Sequence, residues 1–426
     1  MIKIFQTIRD LIFKNASTTL EKAETFDTKS ILKTKHNIPE TTLKEVKKEV
    51  EKQEQEIIQE EKQKEDLNFL SEIITCVEDF NKFDCQNILI NSNIDLEGKT
   101  IIIPNDTNIK IEENSSLSNG VLNISSGCVI NSFSDIPCYK LKIVPKGKNI
   151  SITGLKWQNT GIALYSLNNC TGLSLKRCEI KSTNNNAIKI VADKISTVDK
   201  NIEFKNCDIF FERMGAEIQN HGNEEYKISN VYFYDCLFTN ISASDYGYGI
   251  SLTGYGENVI INGCEFNECV KGIEIVGFKN VTIDGNEFAN KSKYAIISSN
   301  DREMSNIKIE NNISDAGYYI YNTINSIIQH NKITCKYIEI KNSNNVVFME
   351  NDVTSTGHYS IMLNQASKNI IKENTITQNS NSNWSVIRCY GEKSINNYIS
   401  NNIITRKKKA GKIWDQYNGA SGNIFD

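Results

Sequence analysis

The chain has 426 residues, 48 Lys and Arg against 52 Asp and Glu, a net charge of −4 and 39% hydrophobic residues. A balance this close to neutral lacks the basic surface that general nucleic-acid binding needs, so no nucleic-acid partner is expected. No apolar run reaches the roughly 18 residues of a spanning helix, so no membrane span is expected either.

The first segment, MIKIFQTIRDLIFKN, places Ile4, Phe5, Ile8, Leu11 and Ile12 at helical spacing. Gln6, Arg9 and Asp10 interrupt the continuous apolar stretch of a signal peptide. An amphipathic helix over residues 1–14 without a signal peptide is therefore expected, followed by a polar linker over 15–39 that ends at Pro39. Residues 40–83 are charged and helix-prone. Leu43, Val46, Val50 and Ile57 follow a 3-4 spacing, Gln53 takes a seat in the seam, and Glu60 and Lys64 interrupt it. The seam is too short for a sustained heptad pattern, so two readings stand: a solvated helix capping the first coil of the next domain, or a short oligomeric stalk.

From residue 84 to the end at 426 the chain repeats itself. The phrase NVIINGCEF at Asn258 returns 22 residues later as NVTIDGNEF at Asn280. Its template, Asn-x-x-apolar-x-x-Cys/Asn-x-apolar, also fits at Asn149 (with Leu155 in the Cys/Asn place), Gly172 (for Asn), Asn201, Asn230, Asn306, Asn325, Asn345, Lys368 and Asn396. Successive copies lie 19 to 29 residues apart, an interval that signals a stacked array. The register yields three columns. The first runs Ile152, Leu175, Phe204, Phe233, Ile261, Ile283, Ile309, Ile328, Phe348, Ile371, Ile399. The second runs Cys178, Cys207, Cys236, Cys264, Asn286, Asn312, Asn331, Asn351, Asn374, Asn402. The third runs from Trp157 through Phe238, Phe266 and Phe288 to Ile404, broken at Ser314.

Within each copy the apolar period is two, in β-branched and aromatic residues, and a second short run comes after it, such as AIKI at 187 or GIEI at 272. Such short runs between Asn, Gly and Ser turns make strands, stacked lap on lap at about 4.8 Å. The Cys and Asn of the second column then share one bend. Asn suits a left-handed backbone there and can bond to the Asn of the next lap, while Cys fills the place as a small apolar residue. The 12 cysteines contain no C-x-x-C pair and the four histidines are scattered. Free buried thiols and no zinc site are expected.

These columns, together with residues 94–127 (IDLEGKTIIIPNDTNIKIEENSSLSNGVLNISSG), resemble the right-handed parallel β-helix (pectate-lyase-like) superfamily. The layout is most similar to bacteriophage tailspike and fibre proteins. The resemblance implies an all-β, single-stranded parallel β-helix behind an N-terminal helical segment. It further implies a homotrimer located in the virion, made in the host cytoplasm and docked on other virion proteins through its N-terminus. The chain closes on SGNIFD directly after its last repeats, where many tailspikes continue into a further domain.

Chemistry on such a fold projects outward from neighbouring laps. The outward seat of the second run reads Lys189, Glu217, Ser251, Glu274, Ile297, Tyr319, Glu339, Met362, Arg388. Glu217 and Glu274 lie two laps apart, about 10 Å between Cβ atoms. Their side chains can bring the carboxyls within the roughly 6.5–9.5 Å of an inverting glycosidase. With Asp245 they form the candidate catalytic set. Arg213, His221, Tyr246, Tyr248, Ser251 and Tyr255, from two aromatic and polar inserts, form the candidate substrate-binding set. The plainer alternative is a solvated sheet face, where polar outward residues are normal and discourage edge pairing. The closely spaced Asp residues, Gly-His-Gly and Arg-x-Lys of polygalacturonases are absent, with Asn220-His221-Gly222 a faint echo. No calcium-binding Asp cluster stands out, so no metal and no cofactor are expected. The expected function is a virion spike or fibre that binds bacterial surface polysaccharide, with or without cleaving it. The alternatives are a free-standing polysaccharide lyase or hydrolase, and a structural virion decoration protein without glycan activity.

Overall fold

A computed structural model describes residues 72–81, 86–167, 171–192, 200–222, 224–225, 227–242, 246–289, 294–299, 302–407 and 412–426. They form an all-β, right-handed parallel solenoid whose strands pair lap on lap in a 28-stranded and a 12-stranded sheet. One lap shows the plan. Strand Lys271–Asp284 crosses two faces through a bend at Gly277, Glu287–Ala289 makes the next face, and Tyr294–Ser298 begins the following lap. We name the faces after their rows: the first carries Ile283, the second Phe288, the third Ile296.

The predicted columns are the observed stacks. Ile261 pairs with Ile283, Ile283 with Ile309, Ile309 with Ile328 and Ile328 with Phe348. On the second face Phe238 pairs with Phe266 and Phe266 with Phe288. Their rings stack at 5.1 and 4.8 Å, because parallel strands at interstrand spacing carry identical side chains at the same repeat. The inward residues form one continuous apolar core from Ile74 to Ile399.

At the interior bend, Cys178, Cys207, Cys236 and Cys264 are buried free thiols. The asparagines that replace them build a ladder: the amides of Asn286, Asn312, Asn331 and Asn351 each donate to the side-chain oxygen one lap on, at 2.9 to 3.1 Å. The ladder agrees with expectation, but its backbone reason does not. None of these asparagines is left-handed. The left-handed residues are those just before the column, such as Gly285 (φ 66°), Asn311 (φ 56°) and Glu350 (φ 54°), and those opening the template, such as Asn258 (φ 58°), Asn280 (φ 53°) and Lys368 (φ 55°). Asn leads the template because it tolerates that conformation, which also explains Gly172 (φ 74°) at the same place. The opening asparagines form a second, exposed ladder, from Asn230 to Asn201 at 3.0 Å and from Asn280 to Asn258 at 3.1 Å.

The helical reading of 40–83 is corrected over its last residues. Glu72–Ile74 is a strand, paired in parallel with Ile88–Ile90, so the solenoid starts there and not at 84. Val77–Asn81 is a single 3-10 turn. Ile74, Val77 and Phe80 are buried in the core, so a strand and a 3-10 turn stand here where an α-helix was expected. The rest of the expected helical stretch, the 1–14 helix and the 15–39 linker lie outside the described residues.

Candidate functional site

The third face positions the outward file. Its inward seats, such as Ile218, Leu252, Ile275 and Ile340, are fully buried, and strand alternation sends the residue between them out. Parallel pairing sets the file in register: Lys189 faces Glu217, Glu217 faces Ser251, and Ser251 faces Glu274. It continues through Ile297, Tyr319, Glu339, Met362 and Arg388 to Asp415.

The structure brings most of the predicted site together. Glu217 is buried, paired with the Lys189 ammonium at 2.7 Å and bonded by the Asn186 amide at 2.6 Å. Glu274 takes the Lys271 ammonium at 2.9 Å on one oxygen and the Ser251 hydroxyl at 2.9 Å on the other. Lys271 also lies 4.2 Å from the centre of the Tyr248 ring. Burial pulls its ammonium down, but the bonds to Tyr248 and Glu274 outweigh burial and leave it above the ordinary lysine range. Tyr246 lies 5.0 Å from Tyr248, and Arg213 stands 5.9 Å over the Tyr246 ring.

His221 and Tyr255 sit elsewhere. Strand Tyr248–Asn262 leaves the third face at Gly254, where the backbone turns positive (φ 102°). Tyr255 is beyond that bend, under the Arg302 guanidinium at 4.3 Å, its carbonyl accepting from the Asn220 amide at 3.0 Å. His221 comes next after Asn220 and is exposed. Asp245 lies outside the described residues.

A cluster that the sequence reading passed over continues the same face. Tyr294 meets Tyr319 at 4.5 Å, Tyr319 meets Tyr337 at 5.2 Å, and Tyr337 meets Tyr359 at 4.9 Å. Tyr359 stacks on Trp384 at 6.1 Å, and the Arg388 guanidinium lies 4.5 Å from the Trp384 ring. Glu339 sits among them, 6% exposed, accepting from the Tyr321 hydroxyl at 2.8 Å and the Asn364 amide at 2.9 Å. Burial holds the phenols of Tyr319, Tyr321 and Tyr359 well above the ordinary tyrosine range. The signal in the sequence was an aromatic residue at or just before the start of the second run in several laps: Tyr294, Tyr337, Tyr359 and Trp384. It goes unseen when only the outward seats are read.

Among the described residues, no group of three or more His, Cys, Asp and Glu side chains comes together to hold a metal ion. Nor is any described helix long and apolar enough to cross a membrane.

A sequence model of the right handed beta helix region matches residues 143–313 and 296–425. Comparison with curated proteins gives no match. Several solved structures are similar at low identity. The A-module of the Azotobacter vinelandii mannuronan C-5 epimerase AlgE4 is 9% identical, with a TM-score of 0.38, over 83% of this chain and 100% of that one. The tailspike protein of E. coli bacteriophage HK620, solved in complex with a pentasaccharide, is 11% identical, with a TM-score of 0.43, over 80% and 75%. The Streptococcus pneumoniae surface protein and adhesin PfbA is 11% identical, with a TM-score of 0.42, over 81% and 100%. At these identities and TM-scores none of the three carries an argument about what this chain does.

Proposed function

The chain belongs to the right-handed β-helix family, and from that premise we propose that its third face binds a polysaccharide strand laid along the solenoid. One observation carries the reading: the row of rings from Tyr294 through Tyr319, Tyr337 and Tyr359 to Trp384, on a face where solubility alone would place charged and small polar residues. Aromatic rings offer flat apolar surface to the C–H faces of sugars, and the adjoining Glu217, Ser251, Glu274 and Glu339 offer hydrogen-bond partners to hydroxyls. A linear file of repeated seats suits a linear polymer. Titration of the protein with bacterial surface polysaccharides tests the reading. Binding should weaken at least tenfold in Tyr359→Ala and Trp384→Ala variants that keep the parent melting temperature. Equal binding by parent and variants would defeat it. Failure of every glycan would leave the structural decoration reading.

The finer part of the proposal is a phage spike or fibre, a homotrimer attached to other virion proteins through its N-terminal segment. Its support is the layout, a charged helix-prone segment ahead of the solenoid. Virion genes on both sides of this one, and co-sedimentation of the protein with particles, are the expected results. Absence from purified particles would remove the virion role.

Cleavage is the second reading, favoured by Glu217 and Glu274 lying in one file with Ser251 between them. Release of reducing ends or of unsaturated products should then disappear in the Glu217→Gln/Glu274→Gln double variant. A parent protein that releases neither is a binder only.

A further inference from the structure

The third face repeats one motif, a carboxylate beside aromatic rings, and the chain supplies the cation in two of its occurrences. At Glu274 the Lys271 ammonium pairs with the carboxylate at 2.9 Å and lies 4.2 Å over Tyr248. At Asp415 the Arg388 guanidinium bonds the carboxylate at 2.6 and 3.0 Å and lies 4.5 Å from Trp384 and 5.2 Å from Tyr417. Between them stands Glu339, with Tyr319, Tyr321, Tyr337 and Tyr359 about it and no ammonium or guanidinium within ion-pair distance among the described residues. The nearest cation over these rings is Lys341, 5.3 Å from the centre of Tyr321, and it makes no ion pair with Glu339. Both partners of Glu339 are neutral donors.

A carboxylate withdrawn from water is costly unless a positive charge answers it. Glu217, likewise buried, has Lys189. The faces of tyrosine rings attract cations, and rings grouped with a carboxylate are the arrangement that takes substituted ammonium groups. Tyr321, Tyr337 and Tyr359 are half-buried, so their rings reach solvent while Glu339 stays beneath. We propose that the Glu339 cluster binds an alkylammonium group carried by the ligand, either the protonated amine of an amino sugar or a choline-type substituent. This inference rests on the reading of the third face as a glycan-binding surface and gives that surface its substrate class.

Calorimetric titration of the full chain tests it with four probes: choline, its uncharged isostere 3,3-dimethylbutanol, a glucosamine oligomer, and the same oligomer fully N-acetylated. Choline or the glucosamine oligomer should bind at least tenfold tighter than its uncharged counterpart. The preferred arm tells a quaternary substituent from a free amine. Glu339→Gln, close in shape, should erase that preference. Tyr337→Leu should weaken it. Glu287→Gln, on the second face, should leave it intact. Melting temperatures establish that the variants are folded. Equal binding of charged and uncharged probes, or an undiminished preference in Glu339→Gln, overturns the inference and leaves the glycan surface standing. If no oligomer and no choline binds, the inference falls, and the titration with bacterial surface polysaccharides alone decides the glycan surface.

Discussion

Asn351 and Asn345 belong to one lap and do opposite work. Asn351 is buried and is not left-handed; its oxygen accepts from the backbone and side chain of Asn331, and its amide reaches Ile328, Met349 and Asn374. Replacing it by Ala strands buried donors and acceptors on two neighbouring laps. At about 1–3 kcal/mol for each unsatisfied group, Asn351→Ala should cost several kcal/mol, read as a lower denaturation midpoint. Asn345 is exposed and left-handed (φ 54°). There Asn345→Gly should cost less than Asn345→Ala, because only the β-carbon is penalised in that conformation, by about 1–2 kcal/mol. The reverse order would refute the division of labour. The thiols add a pH dependence. Burial pushes Cys138 up to about 11 and Cys335 and Cys389 up to about 12. The folded state thus holds protons that the unfolded chain releases above its ordinary thiol value near 8.5. Their contribution is intact below that value and is lost as pH rises toward the folded values. Denaturation midpoints should fall between pH 9 and 11, and less so in Cys138→Ala.

Each strand is short, and its stability comes from the strand above and below. The second and third faces meet over glycines: Gly215, Gly249 and Gly272 lie against the rings of Phe238, Phe266 and Phe288. A β-carbon at Gly249 would come within 2.5 Å of the Phe266 ring and 2.6 Å of the Gly272 carbonyl oxygen, and one at Gly272 within 2.6 Å of the Ala295 carbonyl oxygen. Backbone cannot yield as a flexible side chain would, so Gly272→Ala should cost about 1–3 kcal/mol as overpacking, whereas Ala at the open position Gly161 meets nothing within 4 Å. Equal midpoints for the two variants would contradict the packing account. Where the phenylalanine stack ends at Phe288, Ser314 takes its column seat and turns its hydroxyl to the Ala316 carbonyl at 2.7 Å. The break in the apolar column is thereby a satisfied polar group.

At the scale of the molecule, a solenoid's laps touch only their neighbours, so losses at one lap propagate by fraying from it. Residues Ser71–Asp426 make a compact unit of their own, and its first strand, Glu72–Ile74, pairs with Asn87–Ile90. A version starting at Ser71 keeps that pair, whereas one starting at 84 would remove it. Light scattering should find a trimer for the full chain and a smaller species for the version from Ser71. Two monomers would defeat the stalk, and two trimers would transfer assembly to the solenoid.

The fold was legible in the residues because a parallel stack repeats its chemistry at a fixed register. Columns such as Ile283 over Ile309, and the file from Lys189 to Arg388, can be written down from the repeat alone. The site was legible only in part, and for a physical reason. Which residues share a file is set by period and register, but which rings meet across turns, where Gly254 takes Tyr255 off the third face, and which carboxylate of the file has no cation among the described residues depend on where each bend points. Glu339 is visible in its seat from the sequence. That it is buried among four tyrosines, while Glu274 and Asp415 each have a cation of the chain's own, was decided by the tertiary structure, because burial and the Arg388–Asp415 pair join neighbouring laps, and the Lys271–Glu274 pair depends on how side chains of one strand turn.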